Sequence, residues 1–372
     1  MLQSNCRREA EGLALLTKGT DAGSLFAATR NWSAIRKNVR RDSRVNVLVT
    51  GAAGYVGSVC CEVLLEHGHK LIAVDNLSEG HRPAVPGACE FHHCDLFDTK
   101  QLDQIFGSRE IDAVMHFAAE ALVEKSVREP STFYKVNVAG GILLLDTMLR
   151  HGVKKFVFSS SAATYGEPKE VPIPENHPKA PINPYGQTKW LFENILADYG
   201  RYAGLKHVSL RYFNAAGASK ERGEAHRVET HLIPRILDVA AGNSKQFEIR
   251  GSDYPTPDGT CVRDYVHVLD IAEAHVKALD AMESVSGEAF NVGNSRGYSI
   301  QEVLEAARRV TGHPIPAMKA PRRPGDPAVL VADGQKLRRI LGWTPRYSTL
   351  EAILQSAWDW KVAHPQGYGD AG

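Results

Sequence analysis

The sequence predicts an α/β protein in which a doubly wound parallel sheet is followed by a smaller C-terminal α/β part. Between residues 45 and 213, short apolar runs alternate with stretches of helical periodicity, which is the pattern of parallel strands joined by helices that cover both faces. Beyond Asn214 this alternation stops. Residues 215–262 are rich in Gly, Pro and charged side chains, so we expect them to be irregular.

Composition disfavours several classes of function. The 372 residues are 43% hydrophobic and 23% charged, as is typical of a globular protein. The formal net charge of +1 favours neither nucleic acid nor an anionic membrane as partner. No apolar run reaches the roughly 20 residues of a membrane span. Six cysteines follow no framework spacing, so we predict reduced thiols and a cytoplasmic protein.

Residues 1–44 are predicted to be a disordered N-terminal extension. Basic side chains are frequent there and apolar periodicity is weak. The segment also lacks the apolar stretch of a secretory signal peptide. We assign it no function.

A glycine-rich turn follows the first predicted strand. The apolar run Val45–Thr50 leads directly into Gly51, Gly54 and Gly57 at the start of a helical pattern, and the next strand ends at Asp75. This order and spacing is that of a Rossmann-type dinucleotide site, in which glycines let backbone N–H groups approach a pyrophosphate. The acid would bind ribose hydroxyls and repel a 2′-phosphate, so NAD is favoured over NADP. A turn that only packs a helix against a strand remains the alternative.

Later strands are predicted at residues 89–94, 111–117, 153–160, 206–213 and 288–292, and helices at 130–151, 184–203, 299–311 and 349–363. Ser159, Ser160 and Ser161 fall at the carboxyl edge of a strand, where open parallel sheets bind ligands. The adjacent residues His92-His93-Cys94 lie on a strand, where neighbouring side chains point to opposite faces. We therefore predict no metal site.

The run from Asn183 to Lys189 predicts a helix with a reactive face. Asn183 is a suitable N-cap and Pro184 a suitable first helical residue. Tyr185 and Lys189, four residues apart, share one face of the helix. A nearby ammonium and the positive helix end both favour the phenolate and would lower the phenol pKa. On this stretch alone an ordinary amphipathic helix is the better interpretation, and the upstream glycine turn reverses that choice.

These motifs together resemble the extended short-chain dehydrogenase/reductases, the NAD-dependent epimerase/dehydratase family. Further segments are similar to its UDP-glucose 4-epimerase branch, and these are Asp75–Leu77, Ser159–Ala162, Leu210–Asn214, Asp258–Tyr265 and Pro321–Asp326. Dehydratases and decarboxylases of the family carry an acid just after the serine. Ala162 and Ala163 stand here instead, which favours epimerisation without elimination.

The resemblance implies a reversible inversion at C4 of UDP-glucose and UDP-galactose, with tightly bound NAD and a transient 4-keto sugar. Tyr185 would move the hydroxyl proton, Ser161 would hydrogen-bond the same oxygen, and Lys189 would bind the nicotinamide ribose. The cofactor-binding residues that it implies are Gly51, Gly54, Tyr55, Val56, Gly57, Asp75, Asn76, Asp95, Leu96, Phe117, Ala118, Ala119, Asn137, Tyr185, Lys189 and Phe213. The substrate-binding residues that it implies are Ser161, Tyr185, Asn214, His231, Leu232, Arg263, Arg323, Asp326 and Leu330.

Several positions depart from the family pattern. His231 stands where many members have Asn, and Glu124 and Lys125 change the loop after the fourth strand. Leu330 occupies the position of a residue that limits pocket volume. Because leucine is smaller than the tyrosine of strict glucose/galactose enzymes, we expect N-acetylated sugars to be partly admitted.

The resemblance also predicts the organisation of the chain. It assigns residues 45–213, with part of 264–285, to an NAD-binding domain, residues 214–263 and 286–365 to a UDP-sugar-binding domain, and residues 366–372 to a tail. Members of the family pair as homodimers through two helices, here those around residues 130–150 and 184–203. Two alternatives stay open: a 4-epimerase of another UDP sugar (UDP-GlcNAc/GalNAc or UDP-xylose/arabinose), and a non-catalytic NAD-binding regulator.

Overall fold

The computed structural model describes residues 44–322 and 326–369. The predicted substrate residue Arg323, nearly all of the predicted N-terminal extension and the end of the predicted tail lie outside these ranges.

Strands and helices alternate along the described chain. The strands are β1 (Asn46–Thr50), β2 (Lys70–Asp75), β3 (Glu90–His93), β4 (Ala113–His116), β5 (Lys155–Ser161), β6 (Lys206–Tyr212), β7 (Asn214–Ala216), β8 (Phe247–Arg250), β9 (Val262–His267), β10 (Glu288–Val292), β11 (Gly297–Ser299), β12 (Ala317–Ala320) and β13 (Val329–Leu330). The α-helices are α1 (Tyr55–Glu66), α2 (Thr99–Gly107), α3 (Val123–Arg128), α4 (Pro130–Phe133), α5 (Gly141–Arg150), α6 (Pro184–Ala203), α7 (Leu232–Ala240), α8 (Val268–Asp280), α9 (Met282–Val285), α10 (Ile300–Thr311), α11 (Gln335–Leu341) and α12 (Leu350–Ala363). Tyr134–Gly140 is a π-helical segment that joins α4 to α5.

The predicted doubly wound sheet is confirmed. Across the described ranges, seven parallel strands lie in the order β10-β6-β5-β4-β1-β2-β3. The chain leaves β1 toward β2 and β3 on one side and returns to β4 on the other. Because strand order reverses between β1 and β4, the carboxyl ends of these two strands border the crevice in which such sheets bind ligands.

Helices cover both faces of this sheet, as the apolar character of its strands requires. On one face, α2, α5 and α6 bury Phe106, Leu145 and Phe192 against the strand residues Val114 and Phe158. On the other face, α1 and α8 pack against each other and against the strands. Among the described residues, no helix is both long enough and apolar enough to cross a bilayer.

The expectation that residues 215–262 are irregular was wrong. This stretch contains β7, α7 and β8, and two smaller sheets form around it: β9 pairs with β7, β11 and β13, while β8 pairs with β12. The helix α7 buries Ile233, Ile236 and Leu237 in a second apolar core. One strand from the range assigned to the UDP-sugar-binding domain, β10, pairs with β6 in the large sheet.

Candidate active site

A cavity of about 700 Å³ lies at the carboxyl edge of the large sheet. The predicted site residues that line it are Gly51, Gly54, Tyr55, Val56, Gly57, Phe117, Ala119, Ser161, Tyr185, Lys189, Phe213, Asn214, His231, Leu232, Arg263 and Asp326. The predicted residues within the described ranges that are not part of this lining are Asp75, Asn76, Asp95, Leu96, Ala118, Asn137 and Leu330. The fold therefore joins most of the predicted cofactor and substrate residues in one chamber.

The three glycines of the turn after β1 are required for different reasons. Gly51 has a φ of +68°, and a Cβ there would lie 2.5 Å from the backbone N of Ala118. A Cβ on Gly57 would lie 2.1 Å from the carbonyl oxygen of Gly51. The surrounding backbone therefore leaves no space for a side chain at Gly51 or at Gly57. A Cβ on Gly54 would meet only that same oxygen, at 3.4 Å, among the described residues near it. The open space over Gly54, at the start of α1, is a cradle that fits a pyrophosphate.

Asp75 is the last residue of β2 and lies next to the glycine turn. Its buried carboxylate accepts hydrogen bonds from the backbone N–H of Ala53 (2.9 Å) and of Leu77 (2.8 Å), and burial raises its pKa. Each carboxylate oxygen keeps a second lone pair, so the group can still accept ribose hydroxyls. Beside it, Asn76 Nδ2 donates to Asp95 Oδ2 at 2.7 Å, which ties the end of β2 to the end of β3.

The start of α6 has the predicted geometry. Asn183 caps the helix, since its Oδ1 accepts from the backbone N–H of Gly186 at 2.8 Å, and Pro184 is the first helical residue. A Cβ on Gly186 would lie 2.4 Å from the carbonyl oxygen of Ala163. The helix therefore begins directly against the segment that follows β5, and Tyr185 is brought next to Ser161.

The acidity of Tyr185 differs from the sequence-based expectation. Burial raises the pKa of its phenol, and the hydrogen bond with the Ser161 side chain acts in the opposite direction. Lys189 Nζ donates to the carbonyl oxygen of Ser159 at 2.8 Å and lies 5.8 Å from the centre of the Tyr185 ring. Burial lowers the pKa of Lys189 to about 7. The predicted lowering of the phenol pKa is not found in the chain by itself, because loss of hydration outweighs the Ser161 hydrogen bond.

Asn137 holds the loop after β4 against α6. Its Oδ1 accepts from the backbone N–H of Glu120 at 2.8 Å, and its Nδ2 donates to the Glu120 carbonyl oxygen (3.0 Å) and to Thr188 Oγ1 (3.1 Å). The unusual Lys125 of this loop pairs with the Glu120 carboxylate at 2.9 Å, and Glu124 lines the cavity. Asn137 therefore positions the wall of the cavity through these neighbours.

Arginine side chains gather where the smaller sheets border the cavity. The guanidinium Nη2 of Arg263 lies 3.5 Å from Asp326 Oδ1. Arg250 and Arg322, which are not among the predicted site residues, also line the cavity. Arg250 Nε is buried and makes no hydrogen bond within the described part of the chain. Guanidinium groups with an unused N–H suit a diphosphate. Arg250 belongs to no motif, and only its position at the end of β8 singles it out.

Two predicted substrate residues have other partners. His231 is the N-cap residue of α7, and its Nδ1 lies 2.9 Å from carboxylate oxygens of both Glu224 and Glu229. Leu330 packs against an apolar cluster that includes Phe213. Leu330 itself is not part of the cavity lining, and its contact with the cavity is through such neighbours.

Comparison with known proteins agrees with this geometry. The model of the "NAD dependent epimerase/dehydratase family" matches residues 47–293. The chain belongs to this family.

The match to individual relatives spans nearly the full length of each relative. A UDP-glucose 4-epimerase of Halalkalibacterium halodurans is 50% identical over 326 residues, which are 87% of this chain and 97% of that protein. The crystal structure of the UDP-glucose 4-epimerase of Bifidobacterium longum in complex with NAD⁺ and UDP is 38% identical, with a TM-score of 0.83 over 87% of this chain and 99% of that one. The UDP-Glc/GlcNAc 4-epimerase of Campylobacter jejuni is 41% identical, with a TM-score of 0.75 over 86% and 99% of the two chains.

For a member of an NAD-dependent family, the cradle over Gly54 gives a specific expectation. Gly54→Ala should lower the free energy of unfolding by no more than about 1 kcal/mol, because Gly54 is the N-cap residue of α1 and a Cβ there meets only one backbone oxygen at 3.4 Å. It should weaken NAD binding at least tenfold, because the methyl group occupies space that a pyrophosphate needs. Calorimetric titration with NAD, alongside urea unfolding, measures both quantities. Gly68→Ala, on a surface turn with φ +84°, is the control, and it should cost stability without a change in NAD affinity. Unaltered NAD binding by Gly54→Ala would refute the cradle.

Proposed function

We propose that the protein is a UDP-glucose/UDP-galactose 4-epimerase that inverts C4 of the sugar reversibly through a transient 4-keto sugar. The observation that carries this proposal is the joint position of Ser161, Tyr185 and Lys189 on the wall of a cavity that arginines also line. Ala162 and Ala163 follow the serine, so no carboxylate stands there for an elimination. The relatives named above support the same activity.

Bound NAD supplies the acceptor and donor of one hydride at C4 of the sugar. Tyr185 would take the proton of the C4 hydroxyl and later return it to the same oxygen. Ser161, already hydrogen-bonded to Tyr185, would hold that oxygen and help to transfer the proton. Lys189 lies buried beside the tyrosine ring, where a positive charge favours the phenolate.

Inversion requires that the sugar present both of its faces while the nucleotide stays in place. Arg263 and Arg323, together with Arg250, would bind the diphosphate, and Asp326 the uridine ribose. Anchoring at this end leaves the sugar itself with few fixed contacts. A cavity of about 700 Å³ is within the range of small-molecule sites.

The test is a panel of UDP sugars incubated with the full-length protein and NAD, with products separated by chromatography and identified by mass. UDP-glucose and UDP-galactose should each give the other and reach the same final ratio from both directions. Turnover of UDP-xylose or UDP-GlcNAc alone would favour a 4-epimerase of another sugar. Absence of any C4 isomer from the whole panel would contradict the proposal and leave the NAD-binding regulator.

UDP-GlcNAc is expected to be partly admitted, because a leucine at position 330 leaves part of the space that a tyrosine would fill. It should turn over more slowly than UDP-galactose. Leu330→Tyr should lower the ratio of kcat/KM for UDP-GlcNAc to that for UDP-galactose at least tenfold. Leu330→Ile keeps the volume and serves as control. If no amount of enzyme converts UDP-GlcNAc, the expectation fails.

Cofactor choice is expected to depend on Asp75. Asp75→Asn should weaken NAD binding and raise the affinity for NADP relative to NAD, because the charge that repels a 2′-phosphate is lost. The amide still offers one acceptor for the N–H groups of Ala53 and Leu77, whereas Asp75→Ala would leave both unpaired at a cost of about 1–3 kcal/mol each. The ratio of the two dissociation constants is the measurement. A ratio equal to that of the unaltered protein would refute this role of the charge.

We further propose a cytoplasmic homodimer. Support for the dimer comes from the predicted pair of helices: the segment at 130–150 and α6 pack side by side. Exposed aromatic side chains, Tyr134 and Tyr202, lie on these helices. Support for the cytoplasm comes from the cysteines, of which Cys60, Cys61, Cys89 and Cys94 are buried thiols.

A further inference from the structure

Four side chains converge on one point in the segment between β7 and α7. They are Glu224, His226, Glu229 and His231, and one ligand atom of each lies within 4.8 Å of the ligand atoms of the other three. This His–Glu cluster was not recognised in the sequence, where no metal site was expected. Glu224, His226 and His231 also line the cavity, and the proposed chemistry uses none of the four.

The two histidines present the same ring atom to the same two carboxylates. His226 Nδ1 lies 3.4 Å from Glu224 Oε1 and 3.4 Å from Glu229 Oε2. His231 Nδ1 lies 2.9 Å from Glu224 Oε1 and 2.9 Å from Glu229 Oε1. An imidazole carries at most one hydrogen on Nδ1, so neither ring can direct a separate N–H at each of its two carboxylates. Four ligand atoms about 2.0–2.2 Å from a tetrahedral zinc ion lie roughly 3.3–3.6 Å from one another. The His–Glu separations of 2.9–3.4 Å are close to this range, and all four ligand atoms lie within 4.8 Å of one another.

Charge favours a cation at the same point. Two carboxylates belong to the cluster, and the side chain of Glu224 is only 9% exposed. With neutral imidazoles, the four ligands carry a charge of −2, which one divalent ion balances. The two imidazole rings lie 4.7 Å apart, and their Nδ1 atoms belong to the group of four atoms that could hold one ion. Imidazole nitrogen with carboxylate oxygen is a ligand set that suits zinc and its neighbours in the first transition series.

We propose that the His–Glu cluster is a binding site for one divalent transition-metal ion, with zinc as the best match. The site has a structural role. Tyr55, the first residue of α1, donates to the Gly217 carbonyl oxygen at 2.5 Å, and its ring meets the His226 ring edge-on, with 6.5 Å between the ring centres. His81 is hydrogen-bonded to the Ala225 carbonyl oxygen at 2.6 Å. An ion in the cluster therefore fastens residues 224–231, and with them the start of α7, over the dinucleotide turn.

The experiment uses full-length, untagged protein with NAD bound, exposed to zinc and then freed of unbound metal by gel filtration. Mass spectrometry should find about one zinc ion per chain, as expected for a site with four protein ligands. Removal of zinc with a chelator should lower the melting temperature by several degrees, because the ion binds the folded state only. Replacement by cobalt(II) should give the visible absorption of a nitrogen and oxygen site without the charge-transfer band of a thiolate, which separates this site from binding to cysteines.

The double variant His226→Ala, His231→Ala should retain no zinc and show no effect of the chelator, although all six cysteines remain. His67→Ala, His313→Ala removes two histidines elsewhere and is the matched control, with zinc retained. If the first double variant does not fold, Glu229→Gln should still reduce the zinc content sharply. The proposal is overturned if the unaltered protein retains no zinc, or if the double variant binds as much. In that case the cluster is a set of ion pairs between protonated histidines and glutamates.

Discussion

Replacement of Tyr185 by phenylalanine is expected to lower kcat for UDP-galactose by about 100- to 10,000-fold, the usual contribution of a positioned proton-transfer group. The ring remains, so its edge contact with Phe133 and the fold of α6 should persist. Only the hydroxyl beside Ser161 is lost. NAD and UDP affinities should therefore change little, and a direct comparison of kcat with both dissociation constants measures the effect.

Tyr199→Phe is the matched control for this loss. Tyr199 lies on the same helix, and its hydroxyl donates to Asp146 at 2.6 Å near the surface, away from the cavity. This variant should keep normal turnover. A near-normal kcat of the Tyr185→Phe variant would show that the Tyr185 hydroxyl does not transfer the proton, whatever the control variant does.

The second large effect concerns stability. Glu193 and Arg211 form a buried ion pair behind the active site. Arg211 Nε donates to Glu193 Oε1 at 2.9 Å and Arg211 Nη2 to Glu193 Oε2 at 2.5 Å, and the two side chains are only 6% (Glu193) and 5% (Arg211) exposed. Ser160 donates to the same carboxylate at 2.5 Å. Glu193→Ala leaves the guanidinium charge buried without its partner, which typically costs about 3–5 kcal/mol. Urea unfolding of the two proteins at neutral pH measures this loss.

Two further variants separate the charge from the packing. The double change Glu193→Leu, Arg211→Met removes both charges with side chains of similar bulk and should recover most of the lost stability. Asp198→Ala breaks the exposed pair with Arg201 on the same helix and should leave the unfolding midpoint almost unchanged. If Glu193→Ala unfolds at the same denaturant concentration as Asp198→Ala, the buried pair is not a major source of stability.

Several structural features followed from the sequence because short stretches of chain specify them. The glycine turn, the acid at the end of β2 and the capped start of α6 each depend on neighbours within a few residues. Local backbone conformation, helix capping and residue spacing are therefore enough to predict them without knowledge of tertiary contacts. Most strands of the large sheet were recognised for a similar reason, since they are largely buried and contain short apolar runs. The strand β3 is an exception, because none of its four residues is fully buried.

The region after Asn214 shows where this reasoning failed. Ile233, Ile236, Leu237 and Ala240 have helical spacing, but Pro234 and the surrounding Gly and charged residues concealed it. Pro234 is tolerated because it falls in the first turn of α7, where the N–H has no partner within the helix. The strand β8 is only four residues long and acquires its identity from pairing with β12, about 70 residues away.

By itself, the amino-acid sequence predicted the class of fold and the dinucleotide turn, because strand alternation and glycine spacing are local patterns. The roles of Ser161, Tyr185 and Lys189 are implied by the family resemblance and stay a prediction. Tertiary structure alone decided which charges are buried, and hence the direction of the Tyr185 and Lys189 pKa shifts and the partner of Arg211. It also decided that Arg250 faces the cavity and that four side chains of one segment converge on a single point. Burial, and with it the position of Arg250, depends on contacts with distant parts of the chain, which no local pattern records. The four His and Glu side chains are close in sequence, but only the path of the backbone through residues 224–231 decides that they meet.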